Sequence, residues 1–232
     1  MTEPLVLVPG LGSDGAVWRR TIAALAHEVE CSVGDTLSDD SLPGMAARVL
    51  EAAPERFALA GVSMGGMVAL EIMRAAPDRV TRLALADTNA RPDTPEQAAY
   101  RRGVNQAMLA TEHLARLSLP AIRAMVGRDA DPSVHEELVA MTLRVGREAY
   151  VRQNKAVAAR ADLRPVLPTV QVPTLVVVGA EDSMTPVALS EEIRDAISGA
   201  ELHVLPGCGH LPPIEQPQVM ADLLRRWLDR PV

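Results

Sequence analysis

Ser63 stands in the run Gly61-Val62-Ser63-Met64-Gly65-Gly66. A serine with glycine two positions before and two after fits a sharp strand-to-helix turn. Such a turn projects the hydroxyl into a cleft, where it can attack an acyl carbon. The glycines remove side chains that would collide in the turn, and Gly66 lets the helix pack close to its neighbours. The bland alternative is a glycine-rich turn without chemistry, so the serine has to be judged by its company.

A serine nucleophile needs a base. Five histidines are available: His27, His113, His135, His203 and His210. The first three fall in predicted helices and His203 inside a predicted strand. His210 follows that strand in a Gly-Cys-Gly-His loop, where mobile catalytic side chains tend to sit. A base in turn needs a carboxylate to fix its tautomer and stabilise the imidazolium. Asp182, in the loop after a predicted strand, is the first choice, with a helix-capping aspartate as its plain reading. Asp87, at the end of another strand, is the reserve acid. Glu181 is adjacent to Asp182 but should point away. The oxyanion of an acyl-transfer intermediate would be held by the backbone N–H groups of Met64 and of Leu11, which lies between Gly10 and Gly12.

These residues converge only if the right elements carry them. Leu5 to Val8 reads as a buried strand ending at Pro9-Gly10. A helix with Val17, Ile22, Leu25 and Ala26 follows. Glu30 to Val33, Phe57 to Gly61 and Arg82 to Ala86 read as strands, separated by helices over Leu42 to Ala53 and Met64 to Ala76. This alternation predicts a parallel sheet with helices on both faces. It breaks between about Arg91 and Arg164, where no strand is evident. Thr94-Pro95-Glu96-Gln97 has the form of a capping box with proline in the first turn. Asp131-Pro132 reads as another helix start, with Gly127 and Gly146 as stops. Residues 91–164 are therefore expected to form a helical cap inserted into a core of 1–90 and 165–232. Strands resume at Thr174 to Val178 and Leu202 to Leu205, with helices at Val187 to Ile197 and Val219 to Leu228. The expected fold class is α/β, with a mostly parallel sheet of about six strands. In such sheets ligands bind outside the carboxyl ends of the strands, where Leu11, Ser63, Asp87, Asp182 and His210 all fall.

Composition narrows the chemistry. The net charge of −7 argues against nucleic acid as a partner. The arginine pairs Arg19-Arg20, Arg101-Arg102 and Arg225-Arg226 read as solvated helix faces. Aromatic residues are 2% of the chain, too few for a base-stacking surface. Ten methionines help fill the core instead, and Met108, Met125 and Met141 could line an apolar pocket or merely hold the cap together. No stretch has the ~18 apolar residues of a membrane span. The start, Met1-Thr2-Glu3-Pro4-Leu5, lacks the pattern of a signal peptide. Cys31 and Cys208 suggest no disulfide framework. A cytoplasmic protein with free thiols is the expectation, and Cys208 reads as a structural loop residue. The chemistry calls for no metal and no organic cofactor.

The order Ser63, Asp182, His210 matches the Ser–acid–His order of the α/β-hydrolase superfamily, and the sequence resembles that superfamily over nearly its whole length. The resemblance rests on Leu5-Val6-Leu7-Val8-Pro9-Gly10-Leu11-Gly12 with Trp18 after it and on the Ser63 run. It rests further on Pro173-Thr174-Leu175-Val176-Val177-Val178-Gly179 leading to Asp182 and Pro186, and on Gly209-His210. It implies a serine esterase similar to small lid-bearing esterases, lactonases and methyl-ester hydrolases, acting on a small ester-like substrate. The family usually has His-Gly where this chain has Pro9-Gly10, and the usual N-terminal β-hairpin is missing. Some relatives place the acid after the strand that ends here at Asp87. Two other readings stand beside this one. A ligand receptor of the same fold is compatible with the residues. Gly10-Leu11-Gly12-Ser13-Asp14-Gly15, with Asp35 downstream, is also a literal dinucleotide-binding pattern, though it leaves Ser63, Asp182 and His210 unexplained.

Overall fold

The structure is a computed structural model and describes residues 3–25 and 28–231; Ala26 and His27 lie outside the described residues. Its centre is a six-stranded sheet made of β1 (Leu5–Val8), β2 (Cys31–Val33), β3 (Phe57–Val62), β4 (Val80–Ala86), β5 (Thr174–Gly179) and β6 (Glu201–Leu205). The spatial order is β2-β1-β3-β4-β5-β6, and every pairing is parallel. The chain runs outward from β1 to β2, then crosses back to β3. The loops after β1 and β3 therefore diverge at the same end of the sheet, which is where a crevice opens in such folds.

Nine α-helices are described: α1 (Ala16–Ala24), α2 (Leu42–Ala52), α3 (Met64–Ala75), α4 (Pro95–Ala110), α5 (Leu114–Met125), α6 (Pro132–Ala158), α7 (Val187–Ala196), α8 (Pro212–Glu215) and α9 (Pro217–Leu228). Among the described residues no helix is long and apolar enough to cross a membrane. Strand side chains alternate between two buried faces. Val6, Val8, Phe57 and Leu59 pack with Met45 and Val49 of α2 and Met67 and Leu70 of α3. Leu5, Leu7, Ala58 and Ala60 pack on the other face with Trp18 of α1 and Leu224 and Trp227 of α9. Burial on both faces is why these strands read as continuous apolar runs.

The segment between β4 and β5 is helical. Thr94 accepts from the Gln97 N–H through its side chain, and the Gln97 side chain accepts in return from the Thr94 N–H, closing the capping box that opens α4. Asp131 caps α6 by accepting from the Ser133 N–H. Gly146 breaks this segment as expected: at φ 72° and ψ 168° it is not helical, and α6 is two helices that meet at a kink there. Met108 packs with Leu114 and Val151, while Met125 and Met141 pack toward the sheet. His113 is exposed just before α5, and His135 lies on α6. Three arginines expected on solvated faces are half-buried in ion pairs instead: Arg20 with Glu137, Arg101 with Asp93, and Arg225 with Glu28 and Asp222.

The two ends of the inserted segment are tied together by charge. Asp93, 1% exposed, accepts from Arg101 Nε at 2.6 Å and from Arg160 Nη1 at 2.5 Å. Arg160 is itself 3% exposed and also donates to the Arg91 and Val157 carbonyls. Removing one member of such a group leaves the other charge buried and unpaired, at a cost of about 3–5 kcal/mol. Asp93→Ala is therefore expected to lower the denaturant-unfolding midpoint strongly. Asp162→Ala, which breaks the exposed pair with Arg164, should leave that midpoint nearly unchanged. Equal effects of the two substitutions would contradict this account of the tie.

Candidate active site

Ser63 occupies the single residue between the end of β3 and the start of α3, with φ 56° and ψ −120°. A side-chain-bearing residue pays about 1–3 kcal/mol for such a conformation, so the surroundings must enforce it. They do so from three sides. The Ser63 N–H donates to the Ala86 carbonyl at 2.9 Å. Its own carbonyl accepts from the Gly66 N–H at 2.9 Å and from Thr88 Oγ1 at 2.7 Å. The flanking glycines are steric necessities. A Cβ on Gly61 would lie 2.2 Å from the Gly65 carbonyl oxygen, and one on Gly65 would lie 2.1 Å from the Val8 carbonyl oxygen.

His210 lies in the loop between β6 and α8 and is 4% exposed. Its N–H donates to the Met125 carbonyl, at the end of α5, at 2.6 Å. Its Nε2 is 2.8 Å from Ser63 Oγ, and its Nδ1 is 2.8 Å from Asp182 Oδ2. Asp182 follows β5. Besides the imidazole it accepts from Thr185 Oγ1 at 2.6 Å and from the Met184 and Thr185 N–H groups at 2.7 and 3.0 Å. Burial alone would raise the Asp182 carboxyl. The hydrogen bond and charge of His210, with the Thr185 bonds, outweigh that and hold it well below the usual carboxylate range. An ionised Asp182 accepts from Nδ1–H, which leaves Nε2 free to accept from the Ser63 hydroxyl. Glu181 points away, accepting from the Arg128 N–H.

The turn after β1 lies against Ser63. A Cβ on Gly10 would be 3.2 Å from Ser63 Cβ and 3.8 Å from Ser63 Oγ. The N–H groups of Leu11, in that turn, and of Met64, at the start of α3, make no hydrogen bond among the described residues. Two unspent donors thus belong to the segments that flank the hydroxyl.

Residues 5–223 match the alpha/beta hydrolase family. The chain belongs to that family. It is 27% identical to a biotin biosynthesis bifunctional protein of Cellvibrio japonicus, across 99% of this chain but only 48% of that protein. It is 26% identical to a pimeloyl-acyl-carrier-protein methyl ester esterase of Nitrosomonas europaea, across 92% of this chain and 91% of the relative. Among solved structures, a thermophilic esterase from Thermogutta terrifontis superimposes with a TM-score of 0.88 at 29% identity, covering 97% of this chain and 89% of that one.

Within this alpha/beta hydrolase the Gly10–Gly15 run does not form a dinucleotide site. The Gly12 N–H is taken by Gln153 Oε1 at 2.8 Å. The Tyr150 ring lies 3.3 Å from where a Gly12 Cβ would be. Trp18, fully buried, fills the start of α1 and donates to the Val8 carbonyl. Asp35 is exposed and turns back to its own Leu37 N–H.

Three acidic or thiol groups surround His210 without touching Ser63. Asp87 is fully buried, and its Oδ1 accepts from the Gly179 N–H at 2.9 Å. A carboxylate oxygen of Asp87 lies within 4.8 Å of a carboxylate oxygen of Asp182 and of a ring nitrogen of His210. That cluster has the makings of a metal site, but both His210 nitrogens are already engaged, by Asp182 and Ser63. It is Asp182, not the reserve acid Asp87, that receives the imidazole. Burial first, then the Asp182 charge, pushes the Asp87 carboxyl well above the ordinary range. Glu215 is a residue that sequence reasoning missed. Its Oε2 accepts from the Gly127 and Gly209 N–H groups at 2.7 and 2.9 Å, and its Oε1 from the Leu211 N–H at 2.9 Å. One carboxylate thus grips the backbone on both sides of His210. The Cys208 thiol is buried, and burial with the nearby carboxylates keeps it protonated, as suits a structural residue.

The Asp87 environment has a measurable consequence. The unfolded chain releases this proton near pH 3.8, whereas burial in the fold holds it to higher pH. The group therefore costs the fold stability progressively as pH rises above that value. Asp87→Asn keeps the oxygen that meets Gly179 and removes the titration. Unfolding measured from about pH 4 to about pH 8 should show the variant gaining on the wild type as pH rises. A constant difference across that range would mean that Asp87 is ionised in the fold.

Proposed function

We propose that the protein hydrolyses small carboxylic esters, lactones included, through an acyl-enzyme on Ser63. The observation that carries this reading is the continuous hydrogen-bonded chain from Asp182 through His210 to Ser63 Oγ, whose serine is flanked by the segments that carry two unspent backbone donors. The esterase names of the Nitrosomonas and Thermogutta relatives support the same class of substrate.

Ser63 Oγ attacks the ester carbonyl carbon while His210 Nε2 takes its proton. The carbonyl oxygen becomes an oxyanion held by the Leu11 and Met64 N–H groups, each worth on the order of a hundred- to a thousandfold in rate. The intermediate expels the alcohol, protonated by His210. Water, deprotonated by the same nitrogen, then releases the acid and restores Ser63. Asp182 keeps Nδ1–H pointed at itself and stabilises the imidazolium. Asp87 does not touch the imidazole and takes no part in the proton transfers. Residues 91–164 act as a cap over the cleft and set the acyl or alcohol preference; the contact of the Met125 carbonyl with the His210 N–H supports this. The reaction needs neither metal nor organic cofactor.

Hydrolysis of p-nitrophenyl acetate and butyrate tests the assignment. Ser63→Ala and His210→Ala should each lower kcat by on the order of 10⁴-fold or more, and Asp182→Asn by a comparable factor. Asp87→Asn should stay near wild type. The acid is Asp87 if its substitution abolishes turnover while Asp182→Asn does not.

A further inference from the structure

We propose that Gln153, on the inserted helix α6, is a positioning residue that holds the oxyanion turn in its working conformation. The inference rests on the reading of Ser63 as nucleophile and Leu11 as an oxyanion donor.

The turn itself is short. The Ser13 N–H donates to the Gly10 carbonyl at 3.3 Å, which makes Leu11 and Gly12 the two central residues. Gly12 has φ +71°, the signature of a type II turn, in which the third residue must enter the left-handed region. The peptide joining Leu11 and Gly12 could flip toward the commoner type I arrangement. What opposes the flip is a bond to its N–H, and that bond comes from Gln153 Oε1 at 2.8 Å, across 141 residues of sequence. Gln153 has no freedom to let go. Its side chain is fully buried, and its Nε2 donates to the Thr36 carbonyl at 3.1 Å, in the loop after β2. One amide therefore bridges the loops after β1 and β2 from a third element.

The helix that carries Gln153 is fastened to the same region independently. Arg144 pairs with Asp14 through two bonds of 2.8 and 3.1 Å. Arg152 donates to the Leu37 carbonyl from both Nε and Nη2. The Tyr150 ring lies over Gly12. Losing the Gln153 acceptor would leave a half-buried N–H without its partner, and the turn would relax to satisfy it. Leu11 sits in that turn, so its N–H would move off the line to the developing oxyanion, where small displacements matter most. The inserted segment thus frames the reacting atoms as well as covering them.

Gln153→Met, of similar length but without the acceptor or the donors, is compared with Gln153→Glu, which retains the accepting oxygen. Ser63→Ala runs alongside, with p-nitrophenyl butyrate as substrate. Gln153→Met should lower kcat roughly tenfold to a hundredfold with KM within about twofold, since the contact acts on the transition state. A fluorophosphonate, whose oxygen needs the same donors, should label this variant more slowly by a similar factor. Gln153→Glu should recover part of the lost kcat. A Gln153→Met enzyme with wild-type kcat, or a Gln153→Glu enzyme no better than it, overturns the proposal while an inactive Ser63→Ala leaves the hydrolase reading standing. An active Ser63→Ala overturns both. If Gln153→Met does not fold, Gln153→Glu decides alone: a partial loss confined to kcat supports the proposal, and an unchanged kcat or a loss shared between kcat and KM contradicts it.

Discussion

Everything at the reactive end of this molecule follows from holding one serine in a backbone conformation it would not choose. Ser63 sits at φ 56° between an inner strand and a helix. The conformation persists because the packing leaves no alternative. Gly61 and Gly65 approach backbone atoms where no side chain fits, Ala86 and Thr88 anchor both polar groups of the serine backbone, and α3 is buried from Met64 to Met73. The strain is compensated by the sheet core, so the hydroxyl is fixed in space before any substrate arrives. Positioning of this kind is where much of an enzyme's rate advantage originates.

Acidic groups then divide the remaining work by environment. Asp182, with four donors, stays ionised. Asp87, close by but nearly without donors, has its carboxyl pushed well above the ordinary range by burial and by the Asp182 charge. Two like charges so close in a buried site could not both persist without a countercharge. Glu215 spends its carboxylate on three backbone N–H groups and fixes the loop that carries His210. The side chains are alike, and their hydrogen-bond partners give each a separate task.

The sheet and most helices were legible because their signals are local. Alternating apolar runs and helices gave the parallel order, with strand and helix ends within a residue or two, and the capping box at Thr94 needs only four adjacent residues. Ser63, Asp182 and His210 were legible because each follows a strand at the end where crevices form. Gly146 was legible as a break because a glycine tolerates the left-handed backbone that ends one helix before the next begins. Glu215 and Gln153 were invisible for a different reason. Their partners are backbone groups up to 88 and 141 residues away, and no pattern around either residue marks it apart from an ordinary helix position. Asp182 could be ranked above Asp87 from the sequence, but the physical reason lies in the hydrogen bonds: the imidazole meets Asp182, while Asp87 accepts from Gly179.

The central claim is that Ser63 carries the acyl group during turnover. Acid-quenching the protein during hydrolysis of a slow p-nitrophenyl ester, followed by intact-mass and peptide mass spectrometry, tests it most directly. The account predicts one added acyl group, located on the peptide that contains Ser63, and absent from Ser63→Ala. An acyl group on another residue, or steady hydrolysis by Ser63→Ala with the same adduct, would contradict it.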